Sequence, residues 1–226
     1  MIERFLQKFK NSDSVTCVFL GDSVTQGYFE SIEGMHGVTD YESVYHSILR
    51  RMVNDVFPHK RFNVINSGKG GDCAPAGLKR LEPDVLRHNP DLAVVCYGLN
   101  DVNGEISDYV NSLGAIFKKI KDAQTDVIFM TPNMLNTKVT GNILKDYAAR
   151  TAQYQNGGKM DEFINAAANE ARRSGVYIAD CYGKWKQLEK SGADINLLLA
   201  NRINHPTRRM HILFAETLFN TIFFEE

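Results

Sequence analysis

The stretch "VFLGDSVTQG" (residues 18–27) is apolar as far as Leu20 and becomes polar at Asp22. Its apolar half is the end of "VTCVFL" (15–20), whose β-branched and aromatic residues are typical of a buried strand. A serine that directly follows such a strand lies at the edge of a sheet. Ser23 is therefore either a turn residue that starts a helix or a nucleophile held at that edge, and these ten residues alone favour neither.

The rest of the chain repeats the strand pattern and places helical segments between the strands. Four more apolar runs follow: "FNVIN" (62–66), "LAVVCYG" (92–98), "DVIFMT" (126–131) and "VYIAD" (176–180). Apolar residues recur at helical spacing within 41–56, 109–120, 163–171 and 210–222. Apolar strands that alternate with helices are typical of a parallel sheet covered on both faces. The sequence therefore predicts an α/β fold: a three-layer α/β/α sandwich with a five-stranded, flavodoxin-like parallel sheet.

Nothing in the composition divides the chain, so we expect a single domain over residues 1–226. One region, at about 131–160, is far longer than the two to six residues that usually connect elements of α/β domains. Residues 143–153 within it have the composition of a helix. Because the region follows the fourth strand at the edge where α/β folds bind ligands, we expect it to form either a lid or a dimer contact.

The bulk composition narrows the classes of protein to consider. The 226 residues are 43% hydrophobic and 23% charged, with a formal net charge of −1 and no cluster of basic residues. Nucleic-acid binding depends on neutralising phosphates, so we expect no nucleic-acid partner. No apolar run is long enough to span a membrane, and the N-terminal stretch lacks an apolar segment of signal-peptide length. The prediction is a cytoplasmic protein without a membrane partner.

The four cysteines favour neither a disulfide framework nor a metal site. Cys17, Cys96 and Cys181 lie in apolar runs, where a cysteine acts as a small core hydrophobe. Cys73 lies in a glycine-rich turn. Because the sequence contains no C-x-x-C spacing, no zinc site is expected.

Polar segments follow the first three predicted strands, and a fourth lies late in the chain: "GDSVTQG" (21–27), "NSGKGGD" (66–72), "GLND" (98–101) and "INHP" (203–206). The carboxyl ends of parallel strands share one edge of a sheet, so we expect these segments to converge. Acyl transfer needs a nucleophile, a base within hydrogen-bond reach and donors aimed at the developing oxyanion. Ser23 and His205 suit the first two roles. The Gly71 main-chain N–H and the Asn100 amide suit the third.

In these segments the chain resembles the SGNH hydrolases, also called the GDSL esterases and lipases. The family's four blocks occur in order: Gly-Asp-Ser-(Leu/Val) at 21–24, the glycine before an Asp at 71–72, Gly-x-Asn-Asp at 98–101 and His-Pro at 205–206. The resemblance implies that Ser23 is the nucleophile and His205 the general base. It also implies an oxyanion hole made by the N–H groups of Ser23 and Gly71 and by the Asn100 side chain.

One position departs from the family pattern. Most members have an Asp three residues before the histidine, where this chain has Arg202. A guanidinium only donates hydrogen bonds, so Arg202 cannot accept one from the imidazole. We expect a Ser–His dyad in which a main-chain carbonyl of the 202–204 turn accepts from Nδ1. The alternatives are that Asp180 or Asp194 supplies the acid, or that the chain is a catalytically silent relative.

The resemblance implies a serine esterase that hydrolyses a small-molecule ester through an acyl-enzyme and needs no metal or organic cofactor. A short acyl group is favoured, with acetyl on a carbohydrate as one candidate. From another class, a flavodoxin-like module that binds a phosphate or nucleotide at the same edge is the alternative, because "SGKGGD" (67–72) is glycine-rich. A homodimer is compatible with either function.

Several neighbouring residues have competing interpretations. Asp22 is expected to brace the turn rather than to act as an acid. His211, on the last predicted helix, is the rival base to His205. The segment that contains Tyr28, Phe29 and Met35 either lines an acyl pocket or anchors a loop.

Overall fold

The structure is a computed structural model that describes residues 2–32, 37–140 and 143–224. Five parallel strands form its sheet: β1 (Ser14–Gly21), β2 (Arg61–Gly68), β3 (Leu92–Cys96), β4 (Asp126–Met130) and β5 (Tyr177–Ala179). They lie in the order β2-β1-β3-β4-β5, which is the flavodoxin-like order. The predicted α/β fold with five parallel strands is confirmed, and each strand coincides with one of the five apolar runs.

Helices precede, connect and follow the strands. The longer ones are α1 (Glu3–Asn11), α3 (Tyr45–Val56), α6 (Ile106–Asp122), α7 (Lys145–Asn156), α8 (Lys159–Arg173), α9 (Cys181–Lys190) and α11 (Arg208–Phe223). Short helices are α2 (Ser23–Gln26), α4 (Ala74–Lys79), α5 (Leu81–Asp84) and α10 (Ile195–Leu198), with 3₁₀ turns at Leu86–His88 and Asp101–Asn103. Within the described ranges, none of these helices is long and apolar enough to cross a membrane.

The core forms where the sheet meets two groups of helices. All five residues of β3 are buried, as expected for a central strand covered on both faces. Helices α3 and α11 pack against each other, while α6 packs against α4 and α8 in a second group. The helical stripes predicted from apolar spacing at 109–120 and 210–222 supply buried faces to α6 and α11.

The parallel arrangement brings the polar segments to one edge. Gly21 at the end of β1 pairs in register with Gly68 of β2 on one side and with Cys96 of β3 on the other. The chain leaves the sheet beyond these residues, so the segments that begin at Asp22, Lys69 and Tyr97 start side by side. They flank the point between β1 and β3 where the strand order reverses, which is the usual position of a ligand crevice in such sheets.

The long region at 131–160 contains one helix of its own. Residues 131–140 leave β4 as irregular chain, α7 follows, and residues 157–158 lead into α8. The helix predicted at 143–153 is present as Lys145–Asn156. Residues 141 and 142, which belong to the long region but not to the predicted helix, lie outside the described ranges. That the whole chain forms a single domain stays a prediction.

Candidate active site

Ser23 is held at the sheet edge by the turn that follows β1. It is the first residue of α2, and Asp22 precedes it as the cap of that helix, accepting a hydrogen bond from the Val24 N–H at 2.9 Å. Asp22 thus braces the turn, as the sequence predicts. Burial, together with the nearby charges of Asp101 and Asp72, raises the pKa of the Asp22 carboxyl to about 7, although the hydrogen bond from the Val24 N–H opposes the shift. Because helix-initial N–H groups lack an intrahelical acceptor, the Ser23 N–H is available to a ligand.

His205 reaches Ser23 from a tight turn before α11. The Ser23 Oγ lies 2.9 Å from His205 Nε2, although the two residues are 182 positions apart in the chain. Asn201 shapes the turn: its Oδ1 accepts hydrogen bonds from the main-chain N–H groups of residues 203, 204 and 205 at 2.9–3.0 Å. A side-chain acceptor for three consecutive N–H groups fixes the backbone that carries the imidazole.

The second imidazole nitrogen has a main-chain partner. His205 Nδ1 lies 3.0 Å from the Phe29 carbonyl oxygen. A carbonyl only accepts, so Nδ1 carries the proton and Nε2 is free to accept one from the Ser23 hydroxyl. The prediction of a main-chain acceptor is therefore correct in kind, but the predicted source, the 202–204 turn, is wrong. Hydrogen bonds to Asn201 draw that turn back on itself, whereas the loop after α2 passes beside the ring.

Arg202 points away from the imidazole. Its backbone is left-handed, with φ of 61°, and its exposed side chain donates to the Asn196 carbonyl at 2.8 Å. Arg202, which replaces the Asp of most SGNH hydrolases, thus makes no hydrogen bond to His205.

The candidate substitute acids are engaged elsewhere. Asp180 caps α9, accepting from the Gly183 N–H, and also accepts from the Thr131 hydroxyl at 3.0 Å. Asp194 caps α10 and pairs with Lys138 at 2.7 Å. Neither carboxylate contacts His205 within the described ranges, so the geometry is that of a dyad with a carbonyl acceptor.

His211, the rival base, is enclosed in the core. Its side chain is fully buried, and its Nδ1 accepts a hydrogen bond from the Tyr45 main-chain N–H at 3.1 Å. Burial lowers the pKa of the His211 imidazole to about 3. The ring stacks on Tyr45 and lies against Phe29 rather than facing Ser23.

The electrostatics of His205 suit a neutral base. Burial lowers the pKa of its imidazole to about 4, and the hydrogen bond to the Phe29 carbonyl opposes that shift. At neutral pH the ring is therefore unprotonated and can accept the serine proton.

The oxyanion candidates lie across from the serine on the loops after β2 and β3. Gly71 has φ of 74°, a left-handed conformation that favours glycine, and its N–H donates no hydrogen bond among residues 2–32, 37–140 and 143–224. The Asn100 amide nitrogen donates to the Asp72 carbonyl at 2.8 Å. That bond ties the Asn100 side chain to the residue after Gly71, and the amide keeps a second N–H for a ligand.

Buried hydrogen bonds hold the loops after β2 and β3 in place. Asp72 accepts from the Tyr97 hydroxyl and from Arg80, each at 2.8 Å. Asp101, directly after Asn100, accepts from the Ala74 N–H at 2.8 Å. Burial raises the pKa of the Asp101 carboxyl to about 7. Both carboxyls therefore act on the loops that carry the oxyanion candidates, and not on the histidine.

The dyad opens into a cavity of about 510 Å³. Its lining is mainly polar and includes two tyrosines: Ser23, Gln26, Tyr28, Ser31, Lys69, Gly70, Gly71, Asn100, Leu144, Tyr147, Asn201, Ile203, Asn204 and His205. Leu144 and Tyr147 come from the long region at 131–160, which therefore contributes one wall. The structure thus brings all four predicted site residues to one cavity, while their catalytic roles stay predictions.

The comparisons with known proteins bear on the family of the chain. The chain matches the GDSL-like lipase/acylhydrolase family over residues 19–212, which is most of its length and includes all four blocks. It belongs to that family. As a member of a GDSL-like lipase and acylhydrolase family, it is a hydrolase of carboxylic esters.

Similar proteins include esterases of acetylated polysaccharides. An acetylxylan esterase of Geobacillus stearothermophilus is 23% identical over 220 residues, covering 92% of this chain and 94% of the relative. The solved structure of an acetylxylan esterase from that organism has a TM-score of 0.70 at 20% identity, covering 93% of this chain and 95% of the other. A two-domain esterase active on acetylated mannans has a TM-score of 0.72 at 18% identity, covering 98% and 52%. At these identities the structural matches establish the fold alone.

Two parts of this GDSL-like site were not foreseen from the sequence. The role of the Phe29 carbonyl cannot be recognised from the sequence, because every residue has a main-chain carbonyl. The role of Asn201 could have been predicted, because asparagine is common where a side chain binds nearby main-chain N–H groups. Of the two interpretations of the 28–35 segment, each holds in part: Tyr28 lines the cavity, and buried Phe29 anchors the loop. Met35 lies outside the described residues.

Proposed function

We propose that the chain is a serine esterase that removes short acyl groups, acetyl above all, from a carbohydrate. The observation that carries the proposal is the 2.9 Å contact between Ser23 Oγ and His205 Nε2 at an open, polar cavity. The family to which the chain belongs supports ester hydrolysis. It does not favour the alternative of a phosphate-binding or nucleotide-binding module.

In the proposed mechanism the Ser23 oxygen attacks the ester carbonyl carbon while His205 Nε2 takes the hydroxyl proton. Negative charge develops on the carbonyl oxygen, where the N–H groups of Ser23 and Gly71 and the Asn100 amide stabilise it. The imidazolium then protonates the leaving alcohol as the acyl–oxygen bond breaks. Water, deprotonated by His205, attacks the resulting acyl-enzyme; the imidazolium returns that proton to Ser23 Oγ as the acyl–Oγ bond breaks, which releases the acid and free Ser23.

Two kinds of observation support a sugar ester. Relatives of known activity act on acetylated xylan or mannan. In this chain the cavity lining combines amide and hydroxyl groups with the rings of Tyr28 and Tyr147, a combination that suits the hydroxyls and apolar faces of a sugar. Cytoplasmic location, a homodimer and the absence of a nucleic-acid partner stay predictions.

A substrate comparison tests the proposal. The wild type should release acetate from acetylated xylo-oligosaccharides faster than the Ser23→Ala variant does, and hydrolysis of 4-nitrophenyl esters should fall as the acyl chain lengthens from acetate to octanoate. A fluorophosphonate probe should label the wild type and a Ser112→Ala control on α6, but not Ser23→Ala. Labelling that persists in Ser23→Ala would contradict the assigned nucleophile. Faster hydrolysis of octanoate than of acetate would contradict the short acyl group.

A further inference from the structure

The acceptor for His205 Nδ1 lies on a loop rather than on a strand or helix. Phe29 and its neighbours pair with residues 38–39: the Phe29 N–H donates to the Val38 carbonyl at 2.9 Å, and the Val38 N–H donates to the Glu30 carbonyl at 2.9 Å. These bonds hold the two arms of the loop to each other. They do not hold the loop to the segment that carries His205, so another contact must set the distance between carbonyl and imidazole.

Arg208 makes that contact. It is the first residue of α11, three positions after His205, and its guanidinium spans both arms of the loop. The two terminal nitrogens donate to the two Glu30 carboxylate oxygens at 2.6 and 3.3 Å, and Nε donates to Asp40 Oδ2 at 2.8 Å. A planar fork with donors in fixed directions can hold two carboxylates at once, which a lysine ammonium does less well.

The guanidinium also holds the ring of the residue that supplies the carbonyl. The Arg208 guanidinium carbon lies 4.4 Å from the centre of the Phe29 ring, within the range of a cation–π contact. The same ring is fully buried and lies 4.8 Å from the imidazole of His211, one turn further along α11. The Phe29 side chain is therefore fixed by the helix that begins just after His205.

The positive charge of Arg208 is offset by its two carboxylate partners. Hydrogen bonding to Arg208 lowers the pKa of Glu30, and hydrogen bonds from Ser43 and Arg208 lower the pKa of Asp40 to about 2, so both carboxylates are charged at neutral pH. Two carboxylates and one guanidinium leave the cluster with one net negative charge. Arg208 thus adds no net positive charge to the surroundings of a base that must become a cation.

We propose that Arg208 is a positioning residue that clamps residues 28–30 and 38–40 to the start of α11 and so holds the Phe29 carbonyl at His205 Nδ1. The inference rests on the proposed serine esterase mechanism. In that mechanism the clamp does for the dyad what a side-chain acid does for a triad, because it keeps the imidazole in the tautomer that can accept the serine proton. The ion pairs of Arg208 with Glu30 and Asp40 are partly exposed and contribute little to global stability. We therefore expect loss of the Arg208 side chain to change mainly the position of the Phe29 carbonyl relative to His205.

The test compares Arg208→Gln with Arg208→Lys and with Arg209→Gln, an exposed arginine at the next position of the same helix. Two readouts are taken: the tautomer of His205 from ¹⁵N-histidine NMR, assigned with His205→Ala, and kcat and KM for 4-nitrophenyl acetate. Arg208→Gln should convert His205 from the Nδ1–H tautomer to a mixture. It should lower kcat at least about tenfold, short of the roughly 10⁴-fold loss that a wrong tautomer causes in serine proteases.

The KM should stay within about twofold, since Arg208 does not line the cavity described above. Arg208→Lys should recover part of the lost kcat, and Arg209→Gln should match the wild type in both readouts. A folded Arg208→Gln protein with wild-type tautomer and wild-type kcat would overturn the proposal. If that variant does not fold, Glu30→Gln combined with Asp40→Asn releases the clamp from the other side, and an unchanged tautomer there would overturn it equally.

Failure of the esterase proposal would look different. A wild type without esterase turnover would contradict the proposed function. The NMR comparison would still decide whether Arg208 controls the His205 tautomer, because it requires no substrate.

Discussion

Asn100 has two N–H groups on one amide nitrogen, and the bond to the Asp72 carbonyl uses one of them. If the second donates to the oxyanion, Asn100→Ala should lower kcat for 4-nitrophenyl acetate by about 10²–10³-fold with little change in KM, the typical effect of losing one such donor. Steady-state kinetics on the purified variant measure this. The Asp72 contact adds to the effect, because its loss also frees the loop that carries Gly71.

A matched control separates this effect from the loss of an amide in general. Asn169→Ala removes an exposed asparagine from α8 and should retain wild-type kinetics. Near-normal turnover in Asn100→Ala would remove Asn100 from the oxyanion hole.

The low pKa of His205, about 4, has a testable consequence for pH dependence. Below that pH the imidazole is protonated and cannot accept the Ser23 proton, and above it the neutral base is fully present. The acid limb of kcat/KM should therefore lie well below the ordinary histidine value of about 6.5, with activity retained at pH 5.5. An NMR titration of the His205 ring should give a matching midpoint. A midpoint near 6.5 by both methods would contradict the burial effect.

Sequence motifs locate the reacting side chains but not the group that supports them. Ser23, Asn100 and His205 each lie in a short block whose residue types fit a chemical role, so the printed sequence was enough to select them. The acceptor for His205 was assigned to the wrong segment. A main-chain carbonyl is present at every position, and only the path of the loop places that of Phe29 beside the imidazole.

The end of β2 packs closely against the main chain of α2. A Cβ atom built on Gly68 would lie 2.1 Å from the main-chain nitrogen of Gln26 in α2, far inside contact distance. Gly68→Ala should therefore push α2, which begins with Ser23, away from β2. We expect a loss of about 1–3 kcal/mol in the free energy of unfolding, measured by urea denaturation, together with reduced activity.

Gly104→Ala is the matched control, since a Cβ there meets its nearest neighbour at 3.5 Å and the backbone is extended. Its stability should stay within about 0.5 kcal/mol of the wild type. If the two variants had equal free energies of unfolding, α2 would be able to move away from Gly68 without loss of stability, and the prediction would be wrong.

Elements with long apolar periodicity were predictable, and short or polar ones were not. The stripes at 109–120 and 210–222 cover several turns and correspond to α6 and α11. Apolar spacing does not predict helix α9. Its buried residues, Cys181, Tyr182 and Trp185, cover little more than one helical turn, and the residues that follow are mostly polar or charged. Its cap, Asp180, was considered as a catalytic acid, although the carboxylate satisfies helix N–H groups.

The stability of the whole molecule should depend on pH through Asp101. Burial raises the pKa of this carboxyl to about 7 in the folded state, against about 4 in an unfolded chain. Below pH 4 it is protonated in both states and has no effect. Between pH 4 and 7 only the unfolded state ionises, so folding stability falls, by at most about 4 kcal/mol, and stays constant above pH 7.

Asp101→Asn removes this dependence while keeping an oxygen for the Ala74 N–H. The variant should be more stable than the wild type at pH 8, and its advantage should shrink as the pH falls to 4.5. Thermal unfolding of both proteins across this range checks the trend. An advantage that is flat or grows towards acid pH would contradict a buried, protonated Asp101.

The Phe29 carbonyl also affects how the protein can change over generations. A side-chain acid is lost by a single nucleotide substitution, whereas any amino acid encoded at position 29 still supplies a peptide oxygen. Mutations can affect this acceptor only by displacing the loop that carries it. Such mutations are insertions, deletions, and replacements of the Phe29 ring or of Arg208. Saturation mutagenesis of codon 29 should consequently yield graded losses that follow side-chain size, without the all-or-none pattern expected at codons 23 and 205.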